Sequence, residues 1–203
     1  MTDRETYDEM LRAAGALVRV RLSDKRYDHT IRVVETAERL AALHGIDENR
    51  TRLAALLHDA AREVEKEDYL RLAEKWNLPA GWPERESPKL LHGPVAAEVA
   101  RRELGVGDAG VLEAIRVHTT GAPGMGPVAL AVYVADKIEP ARDYPSVGRL
   151  RDLAEEDLRE AAVEGLRRAI AHNEERGRET HPASRETLRW LEAELEKATQ
   201  GWI

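Results

Sequence analysis

The side chains best suited to chemistry in this sequence are histidines and aspartates placed on helical stripes. His29 lies one turn before Val33 on an apolar stripe that continues through Ala37, Leu40 and Ala41. His58 shares a stripe with Ala54, Leu57 and Ala61, and His118 shares one with Val111, Ala114 and Ile115. Asp136 follows Ala129, Val132 and Tyr133 in the same way, His92 stands just before Pro94, and Asp59 follows His58 directly. A lone histidine on an apolar stripe is ordinarily a hydrogen-bonded core residue, and a lone inward aspartate is ordinarily a cap or half of an ion pair. Several such groups on separate helices are costly to satisfy one by one, because buried unpaired carboxylates are strongly unfavourable. A cation cluster satisfies them together, and helical bundles build metal sites from inward side chains on facing helices.

The elements that must position these groups are helices. Alanine, leucine, glutamate and arginine dominate, there is no Phe, and no β-branched run alternates as a strand would. The periodicity predicts helices over 5–21, 25–43, 49–62, 65–77, 94–104, 109–118, 127–138, 146–172 and 183–198, with Gly45 as a left-handed cap and Pro94 and Pro127 in first turns. Two segments read as loops: Leu78–Pro88, with three prolines, and Thr119–Gly126, which reads TTGAPGMG. The expected architecture is all-α, a single-domain helical bundle over 1–203. Its motif-bearing core covers about 21–144, and a C-terminal helical extension covers about 146–198.

Composition narrows the chemistry further. The chain has 203 residues and no Cys, so thiolate zinc sites, Fe–S clusters, disulfides and a cysteine nucleophile are all excluded. Any metal must sit on His and carboxylate. Lys and Arg number 31 against 38 Asp and Glu, a net charge of −7, which argues against a sequence-blind nucleic-acid binder. Met1-Thr2-Asp3-Arg4-Glu5 has no signal-peptide pattern, and the longest apolar stretch, Leu11–Val20, is short and carries Arg12 and Arg19. The expectation is a cytoplasmic protein with neither a membrane nor a nucleic-acid partner.

With these residues in order, the sequence resembles the HD-domain metal-dependent phosphohydrolases: His29, then His58-Asp59, then Asp136, with His92 and His118 matching members that hold two metals. Five blocks are similar to the YqeK-type proteins, bacterial symmetrical dinucleoside-tetraphosphate hydrolases. They are Arg26-x-x-His29, the run Ala54 to Asp59, Leu90-Leu91-His92, His118 to Gly121, and the run Ala135 to Arg142, which reads ADKIEPAR. The likeness runs from about Arg21 to Tyr144 and weakly beyond.

The resemblance implies a ligand set. One divalent ion would take His29, His58, Asp59 and Asp136, and a second would take His92 and His118 with Asp59 bridging. Such His and carboxylate ligands suit iron, which the family is associated with, or manganese or another divalent ion. It also implies a reaction. A metal-bound hydroxide, positioned by Asp59, would attack a central phosphorus of diadenosine tetraphosphate and release two ADP. Substrate contacts are expected from Arg26, from Arg142, from Thr119, Thr120 and Gly121 in the loop after His118, and from Arg62, where related proteins commonly carry Lys. Lys137 is expected at the rim, since it points about 100° from Asp136 on the helix.

Other residues draw blander readings. His44, His172 and His181 are expected at the surface or in caps. Trp76 and Trp82 are expected as filler beneath the proline-rich loop, with stacking on adenine as the alternative, and Trp190 and Trp202 in C-terminal packing. Glu155-Glu156-Asp157 reads as a helix N-terminal turn. Two other functions stay open: an HD-type nucleotidase or phosphohydrolase acting on another nucleotide, and a non-catalytic metal- and nucleotide-binding module. The complete ligand set argues against the second.

Overall fold

The computed structural model describes residues 3–200, with side chains from residue 7 onward. Trp202 lies outside the described residues. The order is α1 (Asp3–Arg21), α2 (Asp24–His44), α3 (Glu48–Leu57), α4 (Lys66–Lys75), α5 (Trp82–Glu86), a 3₁₀ turn (Pro88–Leu91), α6 (His92–Glu103), α7 (Ala109–Val117), α8 (Pro127–Ile138), α9 (Val147–Glu156), α10 (Leu158–Glu175) and α11 (Pro182–Gln200). No strand occurs among the described residues, so the all-α expectation holds. Nor is any of these helices long and apolar enough to cross a membrane.

α8 is the centre of the fold. Every residue from Val128 to Asp136 is buried, because α2, α3, α7, α9 and α10 all pack around it. A helix apolar on every side has no solvent face and must be central. α10 also packs on α9 and α11, and its Leu158, Ala161, Ala162 and Leu166 join the same apolar core as Leu40, Leu53 and Leu57.

Local differences from the expected spans have physical causes. The span 49–62 stops being α-helical at Leu57, and the chain continues through turns held by i→i+3 bonds such as Arg62 N to Asp59 O at 2.8 Å. The buried Tyr69 hydroxyl fastens this turn, donating to Ala61 O at 2.7 Å and lying 3.1 Å from Arg62 O. The predicted helix 146–172 is two helices. Asp157 adopts an extended backbone, and its carboxylate accepts from Arg159 N at 2.7 Å to cap α10. Glu155 and Glu156 therefore end α9 rather than begin a helix. The proline-rich loop contains α5, started by Pro83 in its first turn. Gly45 takes the left-handed cap expected of it, at φ 64°.

One close approach decides where two of the histidines meet. Gly93 sits where a Cβ would come within 2.7 Å of Arg116 O and 3.1 Å of Ile115 O. Only a residue without a side chain lets the start of α6 lie against the end of α7. Gly93→Ala is expected to destabilise the protein by about 2 kcal/mol, a fall in Tm of roughly 4–8 °C in thermal unfolding. Gly15→Ala, in open space within α1, is expected to raise stability by about 0.5–1 kcal/mol in the same measurement.

Candidate metal centre

Three of the four clustered histidines stand at the end of a helical turn. His58 ends α3, His118 ends α7, and His92 ends the 3₁₀ turn. Each of these histidines turns its Nδ1 to a carbonyl three residues back. His58 Nδ1 lies 2.6 Å from Ala55 O, His92 Nδ1 2.6 Å from Lys89 O, and His118 Nδ1 2.8 Å from Ile115 O. Carbonyls only accept, so each Nδ1 carries a proton, and in the neutral imidazole Nε2 is then the lone pair turned inward.

His29 lies inside α2, where neighbouring carbonyls belong to the helical ladder. Its Nδ1 turns to a carboxylate instead, Glu139 Oε1 at 3.2 Å. Glu139 is itself buried and held by Arg32 Nε at 2.8 Å and Ala141 N at 2.8 Å. His29 therefore also presents Nε2 as an acceptor.

These four lone pairs meet two carboxylates. Asp59 Oδ2 is 3.9 Å from His29 Nε2 and 3.7 Å from His58 Nε2. Asp59 Oδ1 is 3.3 Å from His92 Nε2 and 3.7 Å from His118 Nε2. Asp136 Oδ1 is 3.2 Å from His29 Nε2. His92 Nε2 and His118 Nε2 stand 2.9 Å apart, two acceptors facing each other, with Thr119 Oγ1 at 3.2 and 3.1 Å. One hydroxyl proton serves only one of them.

His29 Nε2 and His58 Nε2 have no hydrogen-bond partner at all although both are buried. An all-acceptor cage in a protein interior is unfavourable unless a cation enters it. The spacing fits this, since two ligands on one ion at about 2.1 Å lie about 3–3.4 Å apart in octahedral or tetrahedral geometry. His29, His58 and Asp136 offer ligand atoms all within 4.8 Å of one another, and so do His58, Asp59 and His118. The residues present fit a divalent ion. Asp59 turns one oxygen to each group of histidines, the disposition expected of a bridging ligand.

Protonation follows from the surroundings. Burial lowers the His58 imidazole to about 4 and lowers His118 as well, so both are neutral at neutral pH. Burial alone would raise Asp59, but His58, His118 and His92 beside it outweigh burial and hold the carboxyl well below its usual range. For Asp136 burial is likewise outweighed, with Lys137 the largest opposing influence and His29, His58 and Arg142 adding to it. Both aspartates are ionised.

Cations ring the cluster. Arg26 Nη1 is 3.1 Å from Asp59 Oδ2, and Arg142 bonds Asp136 twice, through Nη2 to Oδ1 at 2.7 Å and Nε to its carbonyl at 2.8 Å. Lys137 departs from the rim position expected for it. Its ammonium reaches back 2.9 Å to Asp136 Oδ2, lying over the Tyr133 ring. A long flexible stem overrides the 100° offset of its Cα. Arg62 Nη1 lies 3.2 Å from the His92 ring.

The loop after His118 divides. Thr119 faces the cluster, whereas Thr120 donates to Gly121 O at 3.0 Å. Gly121, at φ +69°, is buried against Thr187 of α11, where a Cβ would come within 2.7 Å of Thr187 Cγ2. Its place is a helix contact outside the cluster, a correction to the substrate contact expected there.

Sequence reasoning passed over Glu139 and Arg32. Glu139 was legible in one respect, because it stands three residues after Asp136 and so shares its face. Of the remaining histidines, His44 bonds Ala154 O at 2.7 Å and His181 pairs with Glu84 at 2.8 Å. Trp76 and Trp190 pack on the core, while Trp82 is 47% exposed.

Comparison with known proteins gives a consistent result. The HD domain model matches residues 26–141. The symmetrical bis(5'-nucleosyl)-tetraphosphatase of Bacillus subtilis (strain 168) is 37% identical over 178 residues, covering 88% of this chain and 95% of that protein. The protein of the same name from Halalkalibacterium halodurans is 40% identical over 150 residues, 74% of this chain and 80% of that one. A crystal structure from Clostridium acetobutylicum, described as a predicted HD superfamily hydrolase involved in NAD metabolism, superposes with a TM-score of 0.87 at 31% identity, covering 90% of this chain and 97% of that one. The ordered His and Asp cluster, the all-α frame and these matches agree, and the chain belongs to the HD-domain family.

Proposed function

We propose that this protein is a metal-dependent hydrolase that cuts diadenosine tetraphosphate between its two central phosphates, giving two ADP. The observation that carries the reading is the convergence of four buried histidines, each turning Nδ1 to an outward acceptor and Nε2 inward, on two ionised aspartates. The reaction it would run is supported by relatives named for symmetrical tetraphosphatase activity and matched along most of their length.

His29, His58, Asp59 and Asp136 would hold one ion, and His92 and His118 a second, with Asp59 shared. Lacking sulfur, this donor set suits iron, manganese or another divalent ion of similar preference. Such ions supply positive charge for phosphate oxygens and lower the pKa of a water nucleophile. The chain's own residues do the rest. Asp59, held by Arg26, fixes the separation of the two histidine groups, and Glu139 fixes the ring of His29. Arg26, Arg142 and Lys137 reach the cluster from partly exposed positions, where they would meet the substrate's phosphates, with Arg62, Thr119 and Thr120 at the His92–His118 end. Water adds to a central phosphorus, and the oxygen bridging the two central phosphates leaves with its electron pair and takes up a proton. We place this reaction in the cytoplasm, among free nucleotides.

Five measurements test the reading. Purified protein is expected to hold about two metal ions per chain by mass spectrometry, and to yield ADP alone from diadenosine tetraphosphate; ATP with AMP would reject the symmetrical cut. Asp59→Ala is expected to lower turnover by roughly a thousandfold, and unchanged turnover would sink the metal mechanism. Glu139→Gln should weaken metal retention about 10–100-fold against a competing chelator, with the helical circular dichroism unchanged. Finally, the His58 imidazole falls from 6.5 to about 4 on folding, so between those values the unfolded chain binds the extra proton. Chelator-treated protein should therefore lose roughly 3 kcal/mol of stability from this group as pH falls from 6.5 to 4, read by urea unfolding.

A further inference from the structure

Two clefts reach the cluster from opposite ends, and they differ in character. The larger, about 710 Å³, is lined by Trp82, Pro83, Leu90, Asn173 and Ser184 and ends at Thr119. Thr119 is the residue whose hydroxyl touches His92 and His118, so this cleft opens on that end. The smaller, about 350 Å³, is lined by Arg142, Tyr144, Arg168 and His172 and ends at Asp136, which faces His29. Ala169 of α10 is exposed and lines both.

Their electrostatics are opposite. In the larger cleft Glu86 and Glu179 more than offset Arg178, leaving no surplus positive charge to attract phosphate. It offers instead a half-exposed indole, an amide and a hydroxyl, which is the chemistry of a purine or pyrimidine nucleoside. The short helix that carries the indole is tied down: Glu84, two residues on, accepts from Gly81 N at 2.8 Å and from His181 Nε2 at 2.8 Å. His181 Nδ1 accepts from Ala183 N at 3.1 Å, so Nε2 carries the proton and the link needs no charged imidazole. This ties α5 to the start of α11. The smaller cleft sets Lys137, Arg142 and Arg168 against Asp136 alone. The Arg168 guanidinium already covers one face of Tyr144, 5.1 Å from the ring centre, and the Tyr144 hydroxyl is fixed on Lys137 O at 2.7 Å. That cleft is built for negative charge.

We propose that the two clefts take the two halves of the substrate unequally: the base of one half is read beside Trp82, while the other half is held mainly through its phosphates beside Arg168. The inference rests on the dinucleotide reading above. Cleavage is then symmetrical in its products but one-sided in recognition. Trp82 and Arg168 act as specificity-determining residues of separate subsites, and Ala169 is the position whose side chain limits both.

Calorimetric titration of ADP into the metal-loaded protein tests this without relying on turnover. Two ADP per chain of unequal affinity are expected. Trp82→Ala should weaken one site about tenfold and spare the other, Arg168→Ala should do the reverse, and Ala169→Trp should weaken both. With diadenosine tetraphosphate, Trp82→Ala should raise KM about tenfold and leave kcat within about threefold. A single ADP per chain, or two variants that weaken the same site, would overturn the proposal even if the tetraphosphate is cut to ADP. Two sites that respond as described, in a protein that releases no ADP from the tetraphosphate, would keep the clefts and remove the hydrolase reading.

Discussion

Four imidazole lone pairs and two carboxylates converge inside an apolar bundle, and much of the structure answers to that concentration of negative potential. Left alone, such a cage repels itself in a medium that screens poorly. The protein offsets it in two ways. Arg26, Lys137 and Arg142 touch the aspartates from the solvent side, and the inner lone pairs are left for cations. Asp59 and Asp136 stay ionised in this setting, while burial keeps His58 and His118 neutral.

Helix ends do most of the positioning. A histidine at the end of a helical turn can set its Nδ1 on the carbonyl three residues back, which fixes the ring locally. Three of the four histidines are placed this way. The fourth, within α2, has no free carbonyl nearby and depends on Glu139, which arrives from the end of α8 and is steadied by Arg32 of α2 itself. Gly93 completes the geometry by letting α6 close on α7. The turn after α3, fastened by Tyr69, carries the adjacent His58 and Asp59 into the interior.

The net charge of −7 is reconciled with a polyanionic substrate by this placement. The positive side chains near the cluster belong to few positions and are reinforced by the ions it would hold. The C-terminal helices contribute more than cover, since α10 lines both clefts and α11 the larger one.

The sequence by itself determined the helical class, the order of the ligands and the exclusion of sulfur chemistry, because 3.6-residue periodicity and residue type are local properties. His29, His58, Asp59, His92, His118 and Asp136 were all legible as inward or paired polar groups. Glu139 was not, although it stands within the same motif, because its role is defined by a histidine 110 residues away. Lys137 was misjudged because helical angle places a Cα, not the end of a four-carbon stem. Gly121 was misread because a loop glycine looks alike whether it faces a ligand or a distant helix such as α11. Tertiary structure alone decided which nitrogen of each ring faces inward, where the cations gather and how the clefts differ. Each of those depends on atoms brought together from distant parts of the chain, and periodicity carries no information about such distances.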